Sequence, residues 1–248
     1  MNDINIEQQR EKVDRFEIAF NQIHTKLKKL VRNESNHNFM NLLYKARDRH
    51  TTIRYHFQEL KQYAKLRNAL VHERIKEGFY IAEPHLEVTK KLEDISEALH
   101  KPPYALTIAS KNVLYFNHRS ELKEVLKAIE RYGYSQFPIY NEGKFKGLLT
   151  EGGLAKWFSE QITGDYISVG DITANEILQV EKPHNVAFLA KDKTSYDVEE
   201  LFEDYFDRNQ KLEAVLITET GNENEKPLGI ITTWDLVQID HTTVTLLG

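Results

Sequence analysis

The hexapeptide RNALVH at residues 67–72 combines two side chains that can act on a phosphodiester. A histidine with a pKa near neutrality can take a proton from a hydroxyl group, and an arginine can stabilise the negative charge of the transition state. On a straight helix Asn68 and His72 would share one face, whereas Arg67 would lie about 140° around from His72. Cooperation between Arg67 and His72 therefore requires the arginine to reach around the helix, or the helix to end near His72.

A second pair of polar residues, Thr232 and Asp235, follows the short apolar run GII at residues 229–231. A carboxylate can accept hydrogen bonds from two hydroxyl groups at once, as ribose offers them. A threonine at the turn from a strand into a helix lies beside free amides that favour phosphate. The same two residues also suit a helix start without any ligand, with Thr232 as the cap and Asp235 in the first turn.

Other kinds of catalytic site find little support in the residue pattern. The remaining histidines are scattered and show no zinc-ligand spacing such as HExxH, so we expect no metal site. The chain has no cysteine, and it contains neither a GxSxG motif nor a phosphate-binding loop. His50 lies within an apolar stripe and is interpreted as a packing residue.

The segment that ends in the Thr-x-x-Asp pair occurs twice in the chain. Residues 136–150 (QFPIYNEGKFKGLLT) and 212–232 (LEAVLITETGNENEKPLGIIT) each hold an apolar run, a polar turn with glycine, and a Gly-aliphatic-aliphatic-Thr ending. A helical stripe precedes each copy, and we align Leu122 with Val198. The extra residues of the second copy then fall in its hairpin turn, which tolerates insertion. Short strands alternating with helices predict two copies of one α/β unit.

This repeat resembles a CBS-domain pair, a nucleotide-sensing module, over about residues 104–240. The matching positions are Gly229, Ile230, Ile231, Thr232 and Asp235, and incompletely Gly147, Leu148, Leu149 and Thr150. In that family the base enters an apolar cleft, the aspartate binds the ribose hydroxyls and the threonine helps to hold phosphate. The resemblance therefore implies a ligand site at the second copy, with the expected residues Thr232, Asp235, Thr194, Lys193, Ala214 and Val215. In the first copy Gly153 stands at the aspartate position, so we expect that site to be empty, altered or weak.

The N-terminal hundred residues have the spacing of helices. Val13, Phe16, Phe20, Ile23, Leu27 and Leu30 alternate three- and four-residue steps, a stripe that suits a partner helix in a second copy of the chain. Apolar spacing resumes from Phe39 to Ala64, and Pro84 suits the start of a further helix. Residues 10–76 hold 16 Lys or Arg against 7 Asp or Glu. This basic surface would either face a polyanion or form the solvated side of the helices.

The hexapeptide at residues 67–72 resembles the Arg-x-x-x-x-His signature of HEPN domains, small helical bundles that often dimerise. The resemblance covers about residues 5–100. In nuclease members of that family, the arginine and histidine of two subunits meet and cleave RNA without a metal ion. The resemblance thus implies that Arg67, Asn68 and His72 are catalytic. Alternatively, Arg67 could pair with a nearby acid such as Glu73, and His72 could cap a helix end or satisfy a core carbonyl.

The sequence predicts an α+β chain: a HEPN-like bundle at residues 1–100, then CBS copies at residues 101–170 and 171–248. The expected function is regulatory, with an adenine nucleotide (AMP, ADP, ATP or a cyclic dinucleotide) binding the CBS pair and biasing a homodimeric helical domain. The alternatives are a metal-independent ribonuclease regulated by the CBS pair, and a ligand-free structural dimer or adaptor. The ribonuclease hypothesis adds RNA as a partner. No apolar run approaches the roughly 18 residues of a membrane span, and we expect a cytoplasmic protein.

Overall fold

The computed structural model describes residues 2–31, 34–72, 82–162 and 169–237, with the backbone alone for residues 2–6, 8, 9 and 72. The chain divides between Pro102 and Pro103 into two compact units. The first unit is helical and the second pairs two α/β copies, so the predicted fold class is confirmed. The predicted limits of the three domains stay a prediction. Among the helices in the described ranges, none is long and apolar enough to cross a bilayer.

In the described part of the first unit, a long N-terminal helix is followed by four shorter helices. The elements are α1 (Asn2–Leu30), α2 (Phe39–Arg49), α3 (Thr51–Tyr55), α4 (Phe57–His72) and α5 (Leu86–His100). Helix α1 packs mainly on α5 and also contacts α2 and α4. The stripe from Val13 to Leu27 is buried within this single chain. That stripe is therefore covered by helices of its own chain and does not offer a seam to a second copy.

The apolar spacing from Phe39 to Ala64 is divided among three helices by two histidines. His50 takes an extended backbone (φ −126°, ψ 118°) between α2 and α3, and His56 separates α3 from α4. His50 is buried, as the sequence predicted. His56 is fully buried, and this burial lowers the pKa of its imidazole although Nδ1 lies 2.5 Å from Glu59 Oε2.

Two sheets of the same design build the described part of the second unit. The first copy contains β1 (Phe116–Asn117), α7 (Leu122–Tyr132), β2 (Gln136–Asn141), β3 (Lys144–Thr150) and α8 (Glu151–Gln161). The second contains β4 (Val186–Ala190), α10 (Ser195–Asp207), β5 (Ala214–Thr218) and β6 (Gly229–Ile231). Short helices α6 (Ala105–Ile108) and α9 (Ala174–Leu178) precede the two copies. In both sheets the first strand runs parallel to the second, and the third runs antiparallel.

The structure corrects the helix alignment between the copies. Glu121 caps α7 and bridges to Thr173, whereas Thr194 caps α10 and bridges to Tyr104. Because the two caps are equivalent, Val198 corresponds to Val125 and the predicted match with Leu122 is wrong. Leu122 and Val125 lie on the same helical stripe, so apolar spacing alone does not distinguish them. The additional residues of the second copy therefore lie both before β5 and in the hairpin between β5 and β6.

The two copies exchange their leading helices. Ala105 and Ala109, in and just after α6, pack in the core of the second copy with Val198 and Val215. Ala174 and Ile177 of α9 pack in the core of the first copy. Backbone hydrogen bonds hold both exchanges, from Ala105 N to Lys193 O (2.7 Å) and from Leu122 N to Ile172 O (2.8 Å). Each core is completed by the other copy, so the pair folds as one unit.

The longer hairpin of the second copy also packs on the first copy. Tyr140 donates from its hydroxyl to Glu225 O (3.2 Å), and Phe145 N donates to Asn224 Oδ1 (3.0 Å). Tyr140 and these hairpin residues line a cavity of 390 Å³. Burial raises the pKa of Tyr140 to about 12.

Candidate functional site

The Thr232–Asp235 pair lies where β6 ends and a helical segment at residues 233–237 begins. The backbone N–H of Thr232 donates to Asp235 Oδ2 (2.7 Å), and the Thr232 hydroxyl donates to the same oxygen (2.8 Å). None of the described residues donates a hydrogen bond to Oδ1 of Asp235. The carboxylate is thus held in place by one oxygen, and the other oxygen can accept from a ligand.

This pair borders a cavity of 270 Å³ whose opposite wall comes from the first copy. A two-way backbone bridge between Ser110 and Ile230 (3.0 Å in both directions) brings the segment before β1 alongside β6. The lining residues are Ser110, Asn112, Val113, Leu114, Gly133, Tyr134, Ser135, Gln136, Ile230, Thr232, Trp234 and Asp235. Val113, Leu114 and Ile230 give the cavity apolar walls of the kind that suits a planar base.

Two exposed aromatic side chains stand at this cavity. Trp234 is 68% exposed and Tyr134 is 41% exposed, although both are large and apolar. Gly133 ends α7 in the left-handed conformation (φ 67°), which few residues other than glycine adopt. Tyr134 is the first residue after this turn. Tyr134 also stacks on Tyr132, with ring centroids 5.7 Å apart. An exposed tryptophan and tyrosine beside a cavity are suited to stacking on a nucleobase.

The cavity carries little charge. Asp235 is the only ionised side chain among its described lining residues. Lys111 lies between two lining residues in the chain, but its exposed side chain is not one of them. Both donors of Thr232 are engaged by Asp235, so a phosphate at Thr232 would have to displace that carboxylate. The described site therefore presents one anion and no cation to a ligand.

The hydrogen bonds of Thr232 and Asp235 do not by themselves mark a ligand site. Thr194 donates to Asp197 Oδ2 from its amide (2.8 Å) and its hydroxyl (2.7 Å), in the same pattern. Thr173 and Glu176 repeat it at the start of α9. Of these three pairs, Thr232 and Asp235 are the one that lines the 270 Å³ cavity, and that position supports a function beyond capping.

The structure brings together only part of the site expected from the sequence. Thr232 and Asp235 share the cavity. Thr194 caps α10, and the carbonyl of Lys193 accepts from Ala105 N. Ala214 and Val215 are fully buried in β5, and none of these four residues lines the cavity. Sequence reasoning missed the residues of the first copy, above all Asn112 and Tyr134, because their contact with β6 depends on how the two copies pack.

The corresponding position of the first copy is filled by Glu181. Thr150 N donates to Glu181 Oε1 (2.6 Å), and the Thr150 hydroxyl donates to Oε2 (3.3 Å). Asn185 also donates to Oε2 (3.4 Å). A Cβ atom on Gly153 would lie 1.9 Å from Glu181 Oε1. Burial raises the pKa of the Glu181 carboxyl, against the lowering effect of the hydrogen bonds from Thr150.

In the first unit, part of the hexapeptide at residues 67–72 borders a separate cavity. Arg67 and Asn68 line a space of 300 Å³ together with Asn21, His24 and Asn38. The ring of His24 is held at Nε2, 2.8 Å from the carbonyl oxygen of His37. The side chain of His72 lies outside the described residues, as does Glu73. The described ranges contain no group of three or more residues able to hold a metal ion.

Solved structures with a similar arrangement include CBS domains. The CBS domain pair of protein MJ0100, in complex with 5′-methylthioadenosine and S-adenosyl-L-methionine, is 19% identical; the match covers 58% of this chain and 99% of that chain, with a TM-score of 0.43. A CBS domain-containing protein from Kribbella flavida is 13% identical. The match covers 55% of this chain and 97% of that chain, with a TM-score of 0.43. The CBS domain of a bacterial CNNM/CorC family Mg²⁺ transporter is 13% identical. The match covers 62% of this chain and 84% of that chain, with a TM-score of 0.41. Structural similarities with TM-scores this low do not indicate a function.

Sequence comparison identifies a family for the first copy. No curated protein matched the chain. The family model described as the CBS domain matches residues 105–160, which run from α6 to the last turn of α8. The resemblance of the first unit to HEPN domains stays a prediction. The chain therefore contains a CBS domain at residues 105–160.

Proposed function

We propose that this chain is a regulatory protein whose second repeat binds an adenine nucleoside or nucleotide. The observation that carries the proposal is the 270 Å³ cavity, where an available carboxylate oxygen, apolar walls and two exposed aromatic rings converge. In this arrangement Asp235 accepts hydrogen bonds from the ribose hydroxyls. The base lies along Val113, Leu114 and Ile230, and it stacks on Trp234 or Tyr134.

The charge of the cavity restricts the ligand further. A phosphate group brought near Asp235 meets an anion and finds no cation among the described lining residues. Repulsion between the phosphate and the Asp235 carboxylate would be unfavourable, and partial burial of the carboxylate strengthens this repulsion. Adenosine derivatives with an uncharged or cationic 5′ substituent are therefore favoured over ATP at this site.

Tryptophan emission provides the test of this function. The chain has two tryptophans; Trp157 is 5% exposed and Trp234 is 68% exposed, so a ligand at the cavity acts on the emission of Trp234. Titration with adenosine should change the emission, and ATP should require a higher concentration. Because Trp234→Ala lacks the reporting ring, its affinity is measured by isothermal calorimetry, which should show binding weakened roughly tenfold, since base stacking is worth ~1–3 kcal/mol per base. If no adenosine derivative changes either the tryptophan emission or the thermal stability, ligand binding is rejected and the adaptor alternative remains.

The output of the regulation is proposed to be the helical unit, acting as a homodimer. Because the α1 stripe is covered within its own chain, a second copy has to bind elsewhere on this unit. Light scattering at micromolar concentration should give about twice the chain mass of 29.0 kDa. A mass equal to one chain would reject the dimer and the two-subunit catalytic site that depends on it.

A metal-independent ribonuclease is the second candidate function. Its support is the cavity at Arg67 and Asn68, where His24 and the amides of Asn21 and Asn38 add hydrogen-bonding groups. An arginine and polar amides beside an open cavity can bind a phosphodiester. On this hypothesis His72 exchanges the proton of the 2′-hydroxyl group, and the ligand at Asp235 alters the rate by favouring one state of the dimer.

A further inference from the structure

The two repeats place a carboxylate at the same point by different routes. In the second copy the carboxylate is local, since Asp235 follows Thr232 by three residues. In the first copy the equivalent Thr150 donates from the same two groups to Glu181, which comes from the segment after α9. The register supports the equivalence, because Leu149 pairs with Phe137 as Ile231 pairs with Val215. Glu181 thus replaces the side chain that Gly153 lacks.

The two carboxylates differ in the number of oxygen atoms that accept hydrogen bonds from the protein. Asp235 receives both threonine hydrogen bonds on one oxygen, so its other oxygen has no donor among the described residues. Glu181 uses both oxygens, with Thr150 bound to each of them and Asn185 bound to Oε2. Asn185 in turn donates to Leu148 O (3.3 Å), and its own carbonyl accepts from Glu213 N (2.7 Å). The segment that carries Glu181 is therefore bound to β3 and to the residue before β5.

We propose that Glu181 closes the ligand site of the first repeat by holding its own carboxylate at the aspartate position, which leaves the pair with one nucleoside site. Space is not the limit, since Glu181 borders a cavity of 420 Å³ together with Leu148, which occupies the sheet position of Ile230. The limit is that both oxygens of this carboxylate already accept from Thr150, whereas Asp235 keeps one oxygen for ribose. Gly153 and Glu181 act as a pair, because any side chain at position 153 would overlap the glutamate.

A four-protein set tests the proposal: wild type, Gly153→Asp, Glu181→Ala and the double variant. In the wild-type background, Gly153→Asp places a second carboxylate against Glu181 and should lower Tm by roughly 5 °C. In the Glu181→Ala background the same change should raise Tm, because the new carboxylate can accept from Thr150 as Asp235 does from Thr232. An equal loss of Tm in both backgrounds would show that Glu181 does not occupy this position.

Calorimetry with adenosine on the same four proteins tests the closure, which rests on the proposed function. The wild type should bind one adenosine per chain and the double variant two. Two sites in the wild type, or one site in a folded double variant, would overturn the closure. A wild type that binds no adenosine would reject the proposed function instead, and the Tm comparison would still decide whether Glu181 fills the first site.

Discussion

Asp235→Ala should weaken adenosine binding at least about tenfold. The substitution removes the acceptor of the ribose hydroxyls, and hydrogen bonds to a charged group contribute roughly 1.5–3 kcal/mol each before compensation. Asp235→Asn tests the role of the charge, since it keeps the shape of the side chain but makes it neutral. Isothermal calorimetry measures both variants against the wild type.

Asp197→Ala is the matched control for this substitution. Asp197 accepts the same two hydrogen bonds from Thr194 that Asp235 accepts from Thr232, but it does not line the cavity. Both variants should lose roughly 0.5–1.5 kcal/mol of stability through the lost hydrogen bonds from the cap threonine. Only Asp235→Ala should lose affinity. Equal affinities in the two variants would mean that Asp235 is a capping residue and that the ligand site is elsewhere.

The ribonuclease alternative predicts the other large effect. Purified protein should cleave single-stranded RNA in EDTA and leave DNA intact, because DNA lacks the 2′-hydroxyl group that attacks the phosphate. His72→Ala and Arg67→Ala should each reduce cleavage by roughly 10²-fold or more, through the lost proton transfer and the lost charge stabilisation. Adenosine should change the rate of the wild type if the repeats regulate the helical unit.

His100→Ala serves as the control for the histidine variant. His100 is an exposed histidine at the end of α5, where its Nδ1 lies 2.7 Å from Ser96 O. It should retain cleavage, while all variants should keep the helical circular dichroism of the wild type. Wild-type protein that leaves RNA intact, with and without adenosine, would remove the ribonuclease alternative. Loss of the folded state in both Arg67 and His72 variants would identify residues 67–72 as structural.

The helical unit shows where reasoning from periodicity stops. The stripe from Val13 to Leu27 correctly predicts one buried face on α1. Periodicity states that a face is buried but does not name what covers it. The cover is α5, α2 and α4 of the same chain, whereas the sequence suggested a second copy. The division at His50 was also missed, because its apolar neighbours keep the helical spacing across the break.

At the candidate site of the paired repeats, the sequence also predicts the local part and not the part that comes from distant segments. Thr232 and Asp235 are three residues apart, so the turn that joins them follows from local strand and helix signals. The wall opposite them comes from the segments before β1 and before β2, more than a hundred and about a hundred residues earlier in the chain. No spacing rule connects such distant segments. The bridge between Ser110 and Ile230 and the exchange of α6 and α9 bring them together.

From the sequence alone came the α+β class and the two repeats. Those features depend on periodicity and turn residues within about twenty positions, and such short-range preferences can be read along a chain. The missing aspartate at Gly153 was also visible there. Its replacement by Glu181 was decided only by the tertiary structure, because a carboxylate from a distant segment reaches Thr150 only when α9 packs in the core of the first repeat.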